Sequence, residues 1–479
     1  MSTARSLSLP LTGVIVCVML FCAFSASAET LHVHPGESIQ AAINLANPGD
    51  TILVHPGTYT GMINFLGKAV ALRSTGGPEV TVLDGQQAGT VVKCQSDEGP
   101  DTILEGFLIT GGLGMPDCGG MYIFQAAPTV TNCIFRGNHA QYGGGVFSHA
   151  AQPTLSLCVF EDNVATSSGG GMYCFGFDGD AGPTLIDCCF EGNEAFSSGG
   201  GLRIWDCGPT LTGCVFISNF TRYSGGGVAN GGSSEPVFED CVFEGNRADT
   251  LFSDWDSFGG GMSNFEACAP TLINCLFVSN STVATLPRLS RGGALANGGS
   301  AQPELVNCTL SGNHANLGDA MSNAGDAHCV VKNSILWNDG DEIMLEGSAM
   351  VTISYSAVRN GWNGVGNITD DPRLDNSRLQ FDSPCIDTGD PTYNPPGGRD
   401  LDGHARVLRG RVDMGAHEFG IGDYDGDRDV DVDDFLVGFE CMLGPDVGPY
   451  DTGCEAMDFE YDADVDLGDF AAFQRLFGY

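Results

Sequence analysis

One phrase recurs through the middle of this chain: a run of glycines, a loop, Pro, four residues, Cys, and Asn five residues after the Cys. The copies are Pro128-Cys133-Asn138, Pro153-Cys158-Asn163, Pro183-Cys188-Asn193, Pro209-Cys214-Asn219, Pro236-Cys241-Asn246, Pro270-Cys275-Asn280 and Pro303-Cys308-Asn313. A degenerate copy carries Ser334 and Asn338 in the Cys and Asn slots. Glycine runs open at Gly143, Gly169, Gly199, Gly225, Gly259 and Gly292, so the period is 26 to 34 residues. A period of this size means that each unit buries its apolar face only against its neighbours.

Inside a unit the segments are short and strand-like. In Thr154-Leu-Ser-Leu-Cys-Val-Phe160 the alternation places Leu155, Leu157 and Val159 on one side. No segment of the repeat is long enough for a helix, so the units wind into a parallel β-helix. Equivalent residues of successive coils then stack about 4.8 Å apart, and every repeated residue becomes a ladder. The Asn positions form one ladder, whose amides bond the next coil and the corner backbone. Asn230, Asn264, Asn297 and Asn323 form a second. The stacked cysteines read as small hydrophobes filling a narrow column, since one thiol per coil is the wrong array for a closed zinc site. Cysteines outside the ladder, such as Cys94, Cys118, Cys174, Cys207 and Cys268, are candidates for disulfides of unknown connectivity.

The repeat is similar to that of polymorphic outer membrane proteins and related right-handed β-helix proteins, on Gly292-Gly-Ala-Leu295 and Cys308-Thr-Leu-Ser-Gly-Asn313. Glu37-Ser-Ile-Gln-Ala-Ala-Ile-Asn-Leu-Ala46, a short amphipathic helix, and the following Pro48-Gly-Asp-Thr-Ile-Leu-Val resemble the N-terminal cap and first coil of pectate-lyase-like β-helices. Residues 371–419, with Arg378-Leu379, Ser383-Pro-Cys-Ile-Asp, Asp400-Leu-Asp-Gly403 and Arg411-Val-Asp-Met-Gly-Ala-His-Glu418, resemble a choice-of-anchor segment of type Q. They are expected to close the stack as a salt-bridged terminal cap.

The clearest chemistry lies at the C-terminus. Asp423, Asp425, Asp427, Asp429, Asp431 and Asp434 occupy positions 1, 3, 5, 7, 9 and 12 of a loop, and Asp458, Glu460, Asp462, Asp464, Asp466 and Asp469 repeat them 35 residues later. Alternate carboxylates converging on one hollow suit Ca2+, which takes about 6 to 8 oxygen ligands. Each loop runs into a helix, and the pair resembles a type I dockerin, which implies a cohesin-like docking partner. The resemblance assigns side-chain ligation to all of these residues except Asp429 and Asp464, which ligate through their carbonyls. Position 6, commonly Gly, is Arg428 and Ala463, and Val432-Asp433 and Leu467-Gly468 stand where a Ser-Thr type pair is usual, so the partner is less secure than the ion. Cys441 and Cys454 are the expected clamp between the two units.

Composition narrows the function. A net charge of -40, with only 20 Lys and Arg, excludes a nucleic-acid binder. Residues 1–28, with Arg5, an apolar stretch and Ala26-Ser-Ala28, read as a secretory signal, so an exported protein with no transmembrane segment after cleavage is expected. The expected organisation is a signal (1–28), a right-handed β-helix with a helical cap (29–365), a closing segment (366–419) and a small α-helical calcium-binding domain (420–479). The fold is thus mainly β. Loops at 247–258 and 281–291 expand in adjacent coils and bring Asp254, Trp255, Asp256, Phe258, Arg288 and Arg291 beside Arg222 and Tyr223, a candidate glycan groove. No catalytic set is assigned: the chain has three lysines and no HExxH, GxSxG or phosphate loop. The expected function is a secreted, calcium-binding scaffold that holds carbohydrate or a cell surface, with a polysaccharide lyase or glycoside hydrolase on the same coils as the alternative.

Overall fold

The computed structural model describes residues 28–419, apart from 115–117, 251–255, 285–287, 381, 394, 396–397 and 408–409. The signal, the two calcium loops, Cys441, Cys454, Asp254 and Trp255 lie outside the described residues. Within them the chain is a parallel solenoid of about eleven coils, with the helix Ile39–Leu45 at its start. A representative coil contributes Val146–His149 and Thr154–Ser156 to a 22-stranded sheet, Val159–Glu161 to a 12-stranded sheet and Val164–Ser168 to a 7-stranded sheet. Successive coils pair in parallel, as in Phe135↔Phe160↔Phe190↔Phe216↔Phe243↔Phe277.

That register stacks like on like. The six phenylalanines are fully buried, with neighbouring ring centroids 4.2 to 5.2 Å apart and planes within 12° of parallel. Cys133, Cys158, Cys188, Cys214, Cys241, Cys275 and Cys308 form a buried column beside them. Burial pushes the Cys133 thiol up to about 12, which suits packing and not nucleophilic chemistry. Outside the ladder, Cys94, Cys174, Cys207 and Cys268 are buried free thiols, so the disulfides expected there do not form. Their inward positions place them in the core.

One alternation is read wrongly from sequence. Leu155 is buried, but Leu157 is 58% exposed. Leu157 has φ 53°, as do its corner equivalents Asp187, Asp240, Asn274, Asn307 and Asn333 to within a few degrees. A single left-handed residue turns the chain, so inward positions resume at Cys158 and Phe160 instead of Leu157 and Val159.

The outer Asn ladder is the main polar element of the core. The series starts at Asn138, whose Oδ1 accepts from the Gly112 N–H at 2.9 Å; at Asn163, Asn193, Asn219, Asn246, Asn280, Asn313 and Asn338 each Oδ1 accepts from both the backbone N–H and the Nδ2 of the preceding Asn, at 2.7 to 3.1 Å. Each Nδ2 also donates backward, as Asn246 does to the Phe216 carbonyl at 2.8 Å. The series ends on a carboxylate: Asn338 donates its N–H to Glu342 Oε1 at 2.6 Å and its Nδ2 to Oε2 at 2.7 Å. Burial raises the Glu342 carboxyl to about 7. The second ladder, Asn230, Asn264, Asn297 and Asn323, is linked by Nδ2-to-Oδ1 bonds of 2.7 to 2.8 Å.

Both ends are closed. At the start, Ser38 caps the helix by accepting from the Ala41 N–H, Ile39 and Ile43 cover the first coil, and Lys68 Nζ donates to the carbonyls of Ile43, Asn44 and Ala46 at 2.8 Å each. At the far end Trp362 packs against the core, and Asn367 Nδ2 donates to the Ile353 and Trp362 carbonyls. Residues 371–419, expected over that end, run along the flank of the 12-stranded sheet. Asn274 Nδ2 donates to the Arg399 carbonyl, Asp390 N–H to Asn333 Oδ1, and Ala416 N–H to Thr309 Oγ1. The corner asparagines, projecting outward because of their left-handed backbone, are what hold the segment there. Within the segment Arg406 and Glu418 form a buried pair, 3.2 Å apart and each 1% exposed, whereas Arg373 and Asp382 pair at the surface.

Candidate functional site

The glycine runs set the outward face of the 22-stranded sheet. The first glycine of each run is left-handed, as Gly143 is at φ 57°, and a Cβ there would lie 2.3 Å from the Val146 carbonyl oxygen. From the last glycine the strand alternates, so the residues two and four positions later point outward. In four successive coils these are Tyr122 and Phe124, Phe147 and His149, Tyr173 and Phe175, then Arg203 and Trp205.

They form a continuous aromatic surface. Phe147 and Tyr173 stack with centroids 5.1 Å apart and planes 6° from parallel. His149 meets Phe124 and Phe175 edge-on at 5.0 Å each. Tyr142, from the 7-stranded sheet, lies 5.6 Å from Tyr173 and carries the surface around the corner. Phe177 is 53% exposed at its edge. The Arg203 guanidinium sits 4.7 Å over the Trp205 ring, a cation–π pair. Burial raises the Tyr173 phenol to about 12, so it remains a neutral hydrogen-bonding group.

Further along, the same positions are Ala229, Gly231, Ser263, Phe265, Ala296, Gly298, Ser322 and Ala324, all small except Phe265. Gly231 and Gly298 are required by close approach: a Cβ would lie 2.9 Å from the Trp205 ring in one case and 2.6 Å from Phe265 in the other. The result is a cleft of about 450 Å³, lined by Asp256, Phe258, Phe265, Arg291 and Glu346 among others. Arg291 joins its two acidic walls, with Nη1 2.5 Å from Glu346 and Nε 3.4 Å from Asp256. Asp256 also accepts from the Leu289 N–H at 3.0 Å, which ties the two expanded loops together.

Of the groove residues expected from sequence, Asp256, Phe258 and Arg291 meet in this cleft. Arg222 and Tyr223 lie one coil earlier and pack on Phe196, 5.0 Å and 5.7 Å from its ring centroid. The Tyr223 carbonyl accepts from the Phe258 N–H at 2.8 Å. Arg288 is exposed and lines no part of the cleft. The aromatic surface was missed by sequence reasoning, although its signal is regular over four coils: an aromatic, His or Arg two and four residues after Gly120, Gly145, Gly171 and Gly201.

The family model for a right-handed β-helix region matches residues 79–243 and 122–326, which together span just over half of the chain. No curated protein matches it. Among solved structures, it is similar to pectate lyase Pel9A at 14% identity and TM-score 0.45, covering 82% of this chain and 97% of that one. It is similar to the Agl-KA catalytic domain at 12% identity and TM-score 0.41, over 66% of each chain. A rhamnogalacturonan lyase matches at 13% identity and TM-score 0.31, over 80% of this chain and 95% of that one. By the family match and by its coil-on-coil parallel register, the chain belongs to the right-handed β-helix family.

Proposed function

We propose that this protein is an exported carbohydrate-binding scaffold whose ligand lies along the aromatic face of the 22-stranded sheet. The observation that carries the reading is the outward aromatic series from Tyr122 to Trp205. Aromatic rings stacked along a rigid sheet present a fixed row of apolar ring edges to the C–H groups of sugar rings at little entropic cost, and the neighbouring cleft supplies Asp256, Arg291 and Glu346 for hydroxyls or charged substituents. Ring-to-ring packing holds the platform rigid before any ligand arrives.

The test is affinity electrophoresis on neutral and acidic polysaccharides. Tyr173→Ala and Trp205→Ala are each expected to weaken retention about 10-fold or more, in line with the roughly 2 kcal/mol cost of truncating a central contact residue. Unchanged retention in both variants sinks the reading. The alternative, a depolymerising enzyme, is favoured by one feature, the two carboxylates bridged by Arg291. It is supported only if the wild type cleaves a retained glycan and Asp256→Ala does not.

The C-terminal segment would supply attachment. We propose that Asp423, Asp425, Asp427, Asp429, Asp431 and Asp434, with Asp458, Glu460, Asp462, Asp464, Asp466 and Asp469, bind two Ca2+ ions and present the segment to a cohesin-like partner. Without metal, twelve crowded carboxylates repel one another and the fold is lost. EGTA is expected to make residues 420–479 protease-sensitive while the solenoid survives. Equal cleavage of this segment with and without EGTA would count against calcium.

A further inference from the structure

A second groove, of about 580 Å³, lies on the opposite side of the coil corner from the aromatic face's sheet, between the flank segment and the coils. Asp187 and Asp240 line it from left-handed corner positions, and Arg378, Asp400, Asp402 and His417 line it from the flank. These residues play no part in the function proposed above.

The polar bookkeeping here is incomplete. His417 is 4% exposed, yet its Nε2 has no hydrogen-bond partner. Its Nδ1 lies 2.9 Å from Asp402 Oδ2. One donor atom from each of Asp400, Asp402 and His417 falls within 4.8 Å of the other two. His404 adds a buried Nδ1, again without a hydrogen bond, 3.5 Å from Asp400 Oδ2. A buried imidazole nitrogen without a partner is costly, and native structures satisfy such atoms with a proton acceptor, water or a cation.

Charge selects among these. Among the described residues that line the groove, Asp187, Asp240, Asp400 and Asp402 face two arginines, Arg378 and Arg399, which leaves two negative charges in surplus. Arg378 forks onto Asp402, with Nε 2.8 Å from Oδ2 and Nη2 2.7 Å from Oδ1. This fork fixes the orientation of the Asp402 carboxylate beside His417. Asp400 is fixed as well, accepting from the Asp402, His404 and Glu418 N–H groups.

The geometry points to a divalent transition-metal site, of zinc type, formed by Asp400, Asp402 and His417, with His404 next to it on the Asp400 side. Mixed imidazole and carboxylate donors at these separations suit a small borderline cation with bonds of about 2.0 to 2.2 Å, whereas calcium takes oxygen. The ion would tie the turn at 400–404 to the irregular stretch at 411–418, and so pin the flank segment to itself beside the groove.

The full-length protein is stripped of metal, saturated with Ca2+ to fill oxygen-only sites, and then given excess Zn2+ before desalting and metal counting. Wild type is expected to retain one equivalent of zinc more than His417→Gln or Asp400→Asn. Co2+ in place of Zn2+ should give a spectrum without the intense near-ultraviolet band of thiolate ligation, which separates this site from the many thiols. Equal zinc content in all three proteins, or a loss that appears only with the thiolate band, overturns the proposal. Should the variants lose their far-ultraviolet circular dichroism, the wild type decides by 15N imidazole spectra. Zinc-dependent shifts of His417 and His404 support the site. Signals of a fixed imidazolium at His417 that zinc does not move overturn it.

Discussion

Replacing Asn246 by Leu is expected to destabilise the solenoid by about 3 to 6 kcal/mol, although the side chain is wholly buried and Leu is close in volume. Asn246 Oδ1 accepts from the N–H and Nδ2 of Asn219, and its own Nδ2 donates to the Phe216 carbonyl and to Asn280 Oδ1. Leu leaves two donors and a carbonyl without these partners, at roughly 1 to 3 kcal/mol for each buried group that stays unsatisfied. The hydrophobic gain from burying Leu, roughly 1.5 to 3 kcal/mol, offsets only part of that. Urea unfolding followed by circular dichroism measures the loss. A change below about 1 kcal/mol would mean that water or relaxation replaces the ladder bonds, and the ladder would lose its structural role. Since each coil rests only on its neighbours, the damage should appear first as protease cleavage near coils 216–280.

At the end of the same ladder, Glu342→Gln is expected to stabilise the protein at pH 8 and to change little at pH 4.5. Burial raises the Glu342 carboxyl from 4.5 to about 7, with Asp319 adding to the rise and Arg359 opposing it. A folded value above the unfolded one means that the folded state holds the proton more tightly. The stabilisation from this proton is complete below about pH 4.5 and is lost as pH rises through about 7, on the order of 3 kcal/mol in all. Gln removes the titration yet keeps the bonding, because a single amide oxygen elsewhere in the ladder already accepts both N–H groups of the preceding Asn. Denaturant midpoints of wild type and variant across pH 4.5 to 8 give the comparison. A constant difference over that range would show that Glu342 does not titrate there.

Much of this architecture is legible in the Pro-Cys-Asn phrase, because a residue that must fit the same stacked environment in every coil is repeated at the same place. Asn163 and Cys158 are examples: both are foreseeable as ladders from spacing alone. Leu157 is not, since its exposure depends on a left-handed backbone that a hydrophobic side chain does not advertise. The aromatic face was hidden for a related reason. Tyr173 and Phe175 resemble core residues in composition, and only the phase set by the preceding glycines turns them outward. The cleft was half visible, because Asp256 and Arg291 sit on conspicuous insertions, whereas Glu346 comes from a coil 55 residues beyond Arg291. The flank segment illustrates the limit most plainly: its contact from Arg399 to Asn274 spans 125 residues, and no local pattern encodes that docking.

The direction of the Asn series has a consequence for how such a molecule changes size. Every coil between Asn138 and Asn338 receives the same donors from one side and passes the same donors to the other, so a duplicated unit inserted anywhere in that stretch finds its bonding ready-made. Growth is therefore cheap in the middle and forbidden past Glu342, whose carboxylate has no amide to hand on. A lineage of these chains can lengthen or shorten its aromatic face by whole copies of about 30 residues while both termini of the stack stay the same.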